Sequence, residues 1–189
     1  MELQSIKDRI PDYAKDLRLN LDAVLNRSSL TPEQASGAAL AAAFAAKSAP
    51  LVAALRNDAP DPAQAQAALT AAALMGMNNV WYPYVEMAAD AELKTVRPEL
   101  RMNAYATHGG VDRTSFELYA LAASIVGKCE FCVQSHYKLL RENSFSTQQL
   151  RDVGRIAAVV NAVAQVLAIE YVETSEEVAT QRLCAGAAE

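Results

Sequence analysis

Four side chains at short spacing could carry out redox and proton-transfer chemistry. Cys129 and Cys132 form a C-x-x-C pair, His136 follows four residues later, and Glu117 lies twelve residues before the pair. The thiolate is the reactive form of cysteine, and a neighbouring histidine or carboxylate can accept or supply its proton. Two cysteines at this spacing can also form a disulfide bond. The set predicts one redox-active cysteine pair coupled to a proton-transfer pair.

Two predicted helices position these side chains, one over Thr114 to Val126 and a second that starts near Cys129, with Gly127-Lys128 between them. On a helix, spacings of three and four residues place Cys129, Cys132 and His136 on one face. The helix start favours a thiolate at Cys129. His136, one turn beyond Cys132, instead favours Cys132 as the attacking sulfur. The residue pattern does not decide which of the two cysteines is the attacking thiol.

Each residue also has a structural interpretation. Glu117 lies three residues after Thr114, which is the spacing of a capping box, and an isolated histidine such as His136 is often an ordinary, partly buried one. Zinc is the main alternative for the cysteine pair, but a structural zinc site usually needs four ligands and a second pair is missing. Cys184 is interpreted as a bystander and His108 as a loop residue. The cysteine pair with a histidine on the same face favours the redox interpretation, with no metal.

Composition restricts the class of protein around this site. The net charge of −5 is scattered along the 189 residues and forms no basic stripe, so nucleic acid is not an expected partner. The longest purely apolar stretch, 38–46, is far below the ~20 residues of a membrane span, and the N-terminal segment lacks the apolar core of a signal peptide. Three cysteines, two of them close together, do not form a secreted disulfide framework. We expect a soluble, cytoplasmic protein.

Helix-favouring residues dominate the chain, and no segment alternates β-branched with polar residues, which predicts an all-α fold. The apolar pattern predicts a helix over Asp12–Asn26 with Tyr13 on its apolar stripe. Capping boxes predict two more helices, one from Thr31 to about Lys47 and one from Ser146 through Ile169. Pro83 should kink or end the helix in which it lies, and Pro98 should open a short helix that stops before Gly109-Gly110.

An internal echo suggests how the helices are organised. LAAAFAAKS at 40–48 aligns with LAASIVGKC at 121–129. We predict a single domain over 1–189 built from a degenerate tandem repeat, with halves at about 28–90 and 109–171. Only the second half carries the chemistry, since Glu117, Cys129, Cys132 and His136 stand opposite Ser36, Ser48, Leu51 and Leu55.

The chain resembles the alkylhydroperoxidase AhpD family of the wider carboxymuconolactone decarboxylase-like superfamily. The resemblance covers most of the chain and rests on MNNVWYPY at Met77 to Tyr84 and on HGGVDRTSFELYALAASIVGKCEFCVQSH from His108. It implies an all-helical homotrimer without a cofactor. It also implies a peroxidase that reduces alkyl hydroperoxides, takes electrons from a dihydrolipoyl protein and passes reducing equivalents to the peroxiredoxin AhpC.

The resemblance further implies a role for each site residue. Cys132 corresponds to the thiol that becomes a sulfenic acid, and Cys129 to its proton donor and resolving partner. Glu117 and His136 correspond to the proton relay. Phe131 departs from the pattern, since some members have a histidine immediately before the second cysteine, and this affects the expected rate and substrate.

Two other functions are compatible with this fold. One is a lactone decarboxylase-like enzyme in which the cysteines are incidental, although the presence of both cysteines, His136 and Glu117 argues against it. The other is a redox-sensing or interaction module that uses the cysteine pair as a switch. Steady-state consumption of peroxide in the presence of a dithiol distinguishes a peroxidase, which turns over repeatedly, from a redox switch, which does not.

Overall fold

Helices make up the structure throughout the part of the chain that this computed structural model describes, namely the backbone of residues 2–186 and the side chains of residues 2–170. No strand occurs in that range, so the all-α prediction is confirmed. The α-helices are α1 (Glu2–Asp8), α2 (Lys15–Asn26), α3 (Pro32–Ala45), α4 (Ala49–Asn57), α5 (Pro62–Ala88), α6 (Asn103–Ala106), α7 (Arg113–Gly127), α8 (Glu130–Glu142) and α9 (Thr147–Gly186). Short 3-10 helices lie at Asp12–Ala14, Leu93–Thr95 and His108–Gly110.

The core is formed by alanine-rich helices that pack at close range. The alanines of α3 between Ala38 and Ala43 are fully buried. Gly37 on the same helix is required by this packing, because a Cβ atom there would lie 2.3 Å from the ring of Tyr119 on α7. Small side chains let helix axes approach, and the large buried side chains of α7 fill the remaining space. The helix that carries Glu117 is therefore held rigidly.

Helix α9 contributes the other side of the core. Its segment Thr147–Glu170 is long and apolar enough to cross a membrane. Val153, Ile156 and Val160 on this segment are fully buried among the other helices. A core helix of a globular protein has this composition, so the length alone is weak support for a membrane span.

The two predicted capping boxes at Thr31 and Ser146 are confirmed. The Thr31 hydroxyl accepts a hydrogen bond from the Gln34 amide at 3.2 Å, and the Gln34 side chain accepts one from the Thr31 amide. Ser146 and Gln149 make the same reciprocal pair at 2.9 and 3.1 Å. Each box satisfies two backbone donors that the first helical turn leaves without partners, which explains why α3 and α9 begin there.

Three boundary predictions need correction. The first turn of the segment predicted from Asp12 is a 3-10 helix, whose shorter period leaves Tyr13 off the apolar stripe and 72% exposed. Of the two effects predicted for Pro83, the helix end is wrong, because α5 continues to Ala88 and buries Val85 in its last turns; a kink stays a prediction. Pro98 opens no helix: residues 97–102 are non-helical, Glu99 has a φ of 50°, and α6 starts only at Asn103.

The backbone follows the same course at both copies of the internal echo. Lys47 and Lys128 both adopt the left-handed conformation, with φ values of 59° and 56°. The next residues, Ser48 and Cys129, are extended N-caps, and their amides donate to carbonyls five residues earlier at 3.1 and 3.3 Å. The helix–turn–helix unit α3–α4 thus has the same local geometry as α7–α8. The repeat boundaries, about 28–90 and 109–171, stay a prediction.

Candidate functional site

The site lies where the turn between α7 and α8 packs against the middle of α5. Gly127, the last residue of α7, allows this contact, because a Cβ atom there would lie 2.1 Å from Asn79 Nδ2. Asn79 Nδ2 donates to the Ala123 carbonyl at 3.2 Å. The MNNVWYPY segment of α5 therefore has a structural role here, since it fixes the start of α8 and the two cysteines.

The cysteine pair occupies the start of α8. Cys129 is the N-cap, and its sulfur accepts a hydrogen bond from the Cys132 amide at 3.2 Å. The two sulfur atoms are 2.10 Å apart, at bonding distance, so the structure holds the oxidised pair. The Asn78 carbonyl oxygen lies 3.9 Å from Cys129 Sγ. In the reduced state, the amide hydrogen bond and the positive end of the helix dipole favour a thiolate at Cys129.

A buried acid–base pair lies beside the cysteines. The side chain of Glu117 is fully buried and accepts a hydrogen bond from His136 Nδ1 through Oε2 at 2.6 Å. The hydroxyl group of Tyr105 donates to the other oxygen, Oε1. Arg113, one turn earlier on α7 and more than half exposed, has its Nε 4.0 Å from Oε1. Both carboxylate oxygens therefore have partners, as a buried carboxylate requires.

These contacts determine the charge of the pair. Burial raises the pKa of Glu117 and is the largest single influence, but the hydrogen bonds from His136 and Tyr105 and the nearby positive charge together hold this pKa below its ordinary value of 4.5. Glu117 is therefore ionised at neutral pH. Burial and the hydrogen bond to Glu117 raise the pKa of Tyr105, so its phenol stays protonated and remains a donor.

The ionised carboxylate also determines the tautomer of His136. Because Glu117 can only accept, Nδ1 carries the hydrogen in this hydrogen bond. The remaining ring nitrogen, Nε2, lies 3.2 Å from the sulfur of the fully buried Met75. With the hydrogen on Nδ1, Nε2 carries a lone pair, and the thioether has no hydrogen to donate to it, so Nε2 is available to accept a proton from a partner in the neighbouring cavity.

A cavity of about 380 Å³ opens beside α8 and gives a small molecule access to the site. Cys132 and His136 lie one turn apart on its wall, whereas Cys129 is fully buried and does not line it. Aromatic rings form much of the remaining wall, and the ring centroids of Tyr82 and Phe131 are stacked 4.2 Å apart. The lining residues are Asn78, Tyr82, Met102, Tyr105, Phe131, Cys132, Ser135 and His136.

Comparison with known proteins identifies the family. The carboxymuconolactone decarboxylase family matches residues 91–172, which include Glu117, the cysteine pair and His136. The chain is 43% identical over 183 residues to an alkyl hydroperoxide reductase AhpD from Rhodospirillum centenum, with 95% of this chain and 98% of the relative covered. The chain belongs to the AhpD family. Further AhpD relatives include one from Coxiella burnetii, 41% identical over 89% of this chain and 98% of its own length, and one from Rhodopseudomonas palustris, 40% identical over 87% and 92%.

In this AhpD family member the four residues selected from the sequence lie together in space. Cys129, Cys132 and His136 share α8 and its N-cap, and Glu117 on α7 faces His136. The capping-box interpretation of Glu117 is wrong. The N-cap of α7 is Asp112, whose carboxylate accepts from the Ser115 amide at 2.9 Å, so the carboxylate of Glu117 is free to bind His136.

His108 is not among the residues that line the cavity. His108 is in a 3-10 helix, with its ring centroid 6.4 Å from that of Tyr105. The side chain of Cys184 is outside the described residues. Among the side chains at 2–170, no group of three histidine, cysteine or acidic residues is arranged to hold a metal ion.

Sequence reasoning missed Tyr105 and Met75, which contact the Glu117–His136 pair together with Arg113. Tyr105 follows a non-helical segment and has no neighbour in sequence that indicates a site. Met75 lies 61 residues from His136 on a different helix, in an apolar pattern that predicts only core packing. Asn78 and Tyr82 belong to the MNNVWYPY segment that supported the family resemblance, and they line the cavity.

Proposed function

We propose that this AhpD family member is a thiol-dependent peroxidase that reduces alkyl hydroperoxides by cycling Cys129 and Cys132 between dithiol and disulfide. The observation that supports this best is the arrangement of Cys132 in a cavity wall beside the His136–Glu117 pair, with a second sulfur at bonding distance. A thiol, a proton relay and a resolving thiol are the three components that such a cycle needs. The cycle requires no metal, haem or flavin.

In the first step, Cys132 attacks the hydroperoxide. His136 Nε2 takes the proton of the Cys132 thiol, and the thiolate attacks the terminal oxygen of the hydroperoxide. The O–O bond breaks as the S–O bond forms. The alkoxide that leaves receives the proton from His136 and departs as an alcohol. Cys132 is then a sulfenic acid, oxidised by two electrons, and Glu117 stabilises the positive charge that His136 carries between the two transfers.

In the second step, the Cys129 sulfur attacks Cys132 Sγ. The S–O bond breaks, the oxygen leaves as water with the thiol proton of Cys129, and the disulfide forms. An external dithiol then reduces the disulfide by exchange and becomes a disulfide itself. We propose a dihydrolipoyl protein as this donor, and the peroxiredoxin AhpC as a second acceptor of reducing equivalents. A continuous supply of dithiol is available in the cytoplasm, where we place the protein.

Access to the cavity supports the proposed assignment of the two cysteines, which the spacing left open. Cys132 lines the cavity and is 3% exposed, whereas Cys129 is 0% exposed and lies behind it against α5. A hydroperoxide in the cavity therefore meets Cys132 first. Cys129 is suited to attack a neighbouring sulfenic acid, because the N-cap stabilises the negative charge that develops on its sulfur as the thiol proton passes to the leaving oxygen.

The cavity favours an organic hydroperoxide over hydrogen peroxide. Its wall includes the rings of Tyr82, Phe131 and Tyr105 and the side chain of Met102. Burying an alkyl or aryl group against these side chains contributes free energy that hydrogen peroxide cannot gain. Phe131 stands where some relatives have histidine, so we assign apolar contact at this position and proton transfer to His136 alone.

We also propose a homotrimer. An exposed apolar stripe on α5, made up of Val80, Tyr84 and Met87, recurs at spacings of four and three residues. These side chains are 69%, 49% and 79% exposed in the isolated chain. An apolar stripe on one helix face is a typical contact surface between subunits, and closed symmetric assemblies are the rule for soluble oligomers.

The test is consumption of tert-butyl hydroperoxide with dihydrolipoamide as the electron donor. We expect steady turnover by the parent protein and none by Cys132→Ser. Cys129→Ser is expected to form a sulfenic acid at Cys132 that dimedone traps, but not to complete the cycle. Cys184→Ser is the matched control and should turn over like the parent.

Several results would overturn this proposal. Turnover by Cys132→Ser at the parental rate removes the cysteine from the reaction. A parent protein that forms the disulfide once but does not consume peroxide in the steady state is a redox switch. Failure of the reduced protein to transfer electrons to oxidised AhpC, with peroxide turnover intact, removes only the coupling to AhpC.

A further inference from the structure

Tyr105 is in direct contact with the proton relay, although it lies on a different element from the relay residues. It belongs to the four-residue helix α6, and its hydroxyl group donates to Glu117 Oε1. His136 binds the other oxygen, Oε2, at 2.6 Å. The groups that face the carboxylate are thus His136 from α8, Tyr105 from α6 and Arg113 from its own helix, the last at 4.0 Å and more than half exposed.

Packing around the ring of Tyr105 fixes the position of its hydroxyl group. The ring makes an edge-on contact with Phe116 of α7, with the centroids 5.7 Å apart, and a second edge-on contact with His108, at 6.4 Å. Phe116 is fully buried and neighbours Glu117 in sequence. The same Tyr105 ring lines the cavity that holds Cys132 and His136. The phenol is therefore held between the core and the reaction site.

We propose that Tyr105 is a positioning residue of the relay, which holds Glu117 ionised with Oε2 directed at His136. This inference rests on the proposed peroxidase function. A carboxylate with only one partner can rotate or accept a proton on its free oxygen, and a protonated Glu117 no longer fixes the hydrogen of His136 on Nδ1. Tyr105 prevents both changes by occupying Oε1. His136 Nε2 then remains free to exchange protons with Cys132 and the leaving alkoxide.

The protonation state of Tyr105 suits this role. Burial, with the hydrogen bond to Glu117, raises the pKa of this phenol above its ordinary value of 10.0, so it remains a donor throughout the working pH range. The hydrogen bond in turn lowers the pKa of Glu117. Removing the hydroxyl group therefore raises the pKa of Glu117, and acid inactivates the relay at a higher pH.

The experiment compares Tyr105→Phe with a matched control, Tyr119→Phe. Tyr119 is a fully buried tyrosine on α7, whereas Tyr105 is partly buried, and the Tyr119 hydroxyl donates to Gln64 of α5 at 2.6 Å and not to Glu117. Both variants lose one hydroxyl group and keep the ring. Measurements are kcat/KM for tert-butyl hydroperoxide across pH, and the nitrogen chemical shifts of the two histidines by NMR, which report the tautomer of His136 without any turnover.

We expect Tyr105→Phe to lower kcat/KM by roughly tenfold, as loss of one hydrogen bond to a charged group does. The acidic limb of its pH profile should move to higher pH. The Nδ1–H signature of His136 should weaken in Tyr105→Phe and stay parental in Tyr119→Phe. If the two variants share the parental pH profile and tautomer, the inference is overturned. If the parent consumes no hydroperoxide but the tautomer changes only in Tyr105→Phe, the proposed peroxidase function fails and the positioning role stands.

Discussion

The coupling between Glu117 and His136 gives the most direct test of the relay. Glu117→Gln and His136→Gln each replace a titratable group with a neutral amide of similar shape. The amide keeps a hydrogen bond across the 2.6 Å contact but cannot exchange the proton that thiol activation and alcohol formation need. We expect each variant to lose hydroperoxide turnover while the cysteine pair still forms its disulfide with a strong oxidant.

The size of the effect separates catalysis from stability. General acid–base groups contribute ~10²–10⁴-fold in rate, which corresponds to about 3–5 kcal/mol of transition-state free energy. In Glu117→Gln, the contacts from His136 and Tyr105 change from charge-assisted to neutral hydrogen bonds. Each change costs about 1 kcal/mol, so the free energy of unfolding should fall by about 2 kcal/mol. A folded variant with a much larger loss in turnover indicates a role in the reaction.

The assay is steady-state kcat/KM at neutral pH for the parent, the two single variants and the double variant, with unfolding curves for each. Residues that act as one unit are not additive, so the double variant should fall little below the slower single variant. Glu142→Gln removes an exposed carboxylate at the end of the same helix α8 and is the matched control. Losses that multiply in the double variant contradict a shared relay. Parental turnover in Glu117→Gln removes this residue from the mechanism.

The lowered pKa of Glu117 adds a pH dependence to the same measurement. A carboxyl group whose pKa is lower in the folded state stabilises the fold fully above its unfolded value of about 4.5. That contribution is lost as the pH falls through the lower, folded pKa. Glutamine does not titrate. The difference in unfolding free energy between the parent and Glu117→Gln should therefore be constant near neutral pH and shrink below about pH 4.5.

Three further outcomes are expected. Thiol counting on the unfolded protein before and after mild peroxide treatment should show a loss of two thiols per chain, from Cys129 and Cys132; unchanged counts contradict the redox cycle. Light scattering at micromolar concentration should give about three times the 20.3 kDa of one chain, and Met87→Glu on the apolar stripe should lower that mass; a parental mass near 20.3 kDa contradicts the trimer. Phe131→Ala should raise KM for cumene hydroperoxide by about 2–10-fold, the value of one aromatic contact, with no change for hydrogen peroxide; equal effects on both substrates remove Phe131 from the binding of the organic group.

Local spacing was sufficient for those parts of the site that lie within one helix and its cap. Cys129, Cys132 and His136 follow the three- and four-residue periodicity of a helix, so their shared face is a property of the sequence alone. The helix starts at Thr31 and Ser146 were predictable for the same reason, because a capping box satisfies backbone donors within four residues. Pro98 misled the prediction because the left-handed Glu99 that follows it has no comparable local signature.

Contacts between distant segments decided the remaining features of the site, namely the partners of Glu117 and the solvent access of the two cysteines. Thr114 and Glu117 have the spacing of a capping box, yet Asp112 caps α7, and Glu117 instead binds His136, nineteen residues away on the next helix. Tyr105 joins this pair only because α6 packs against α7. The packing of α5 against α8 buries Cys129 and leaves Cys132 in the cavity wall. Sequence spacing describes which side chains share a helix face, whereas partners and solvent access depend on how the faces of separate helices meet, which is determined by the close packing of the whole core.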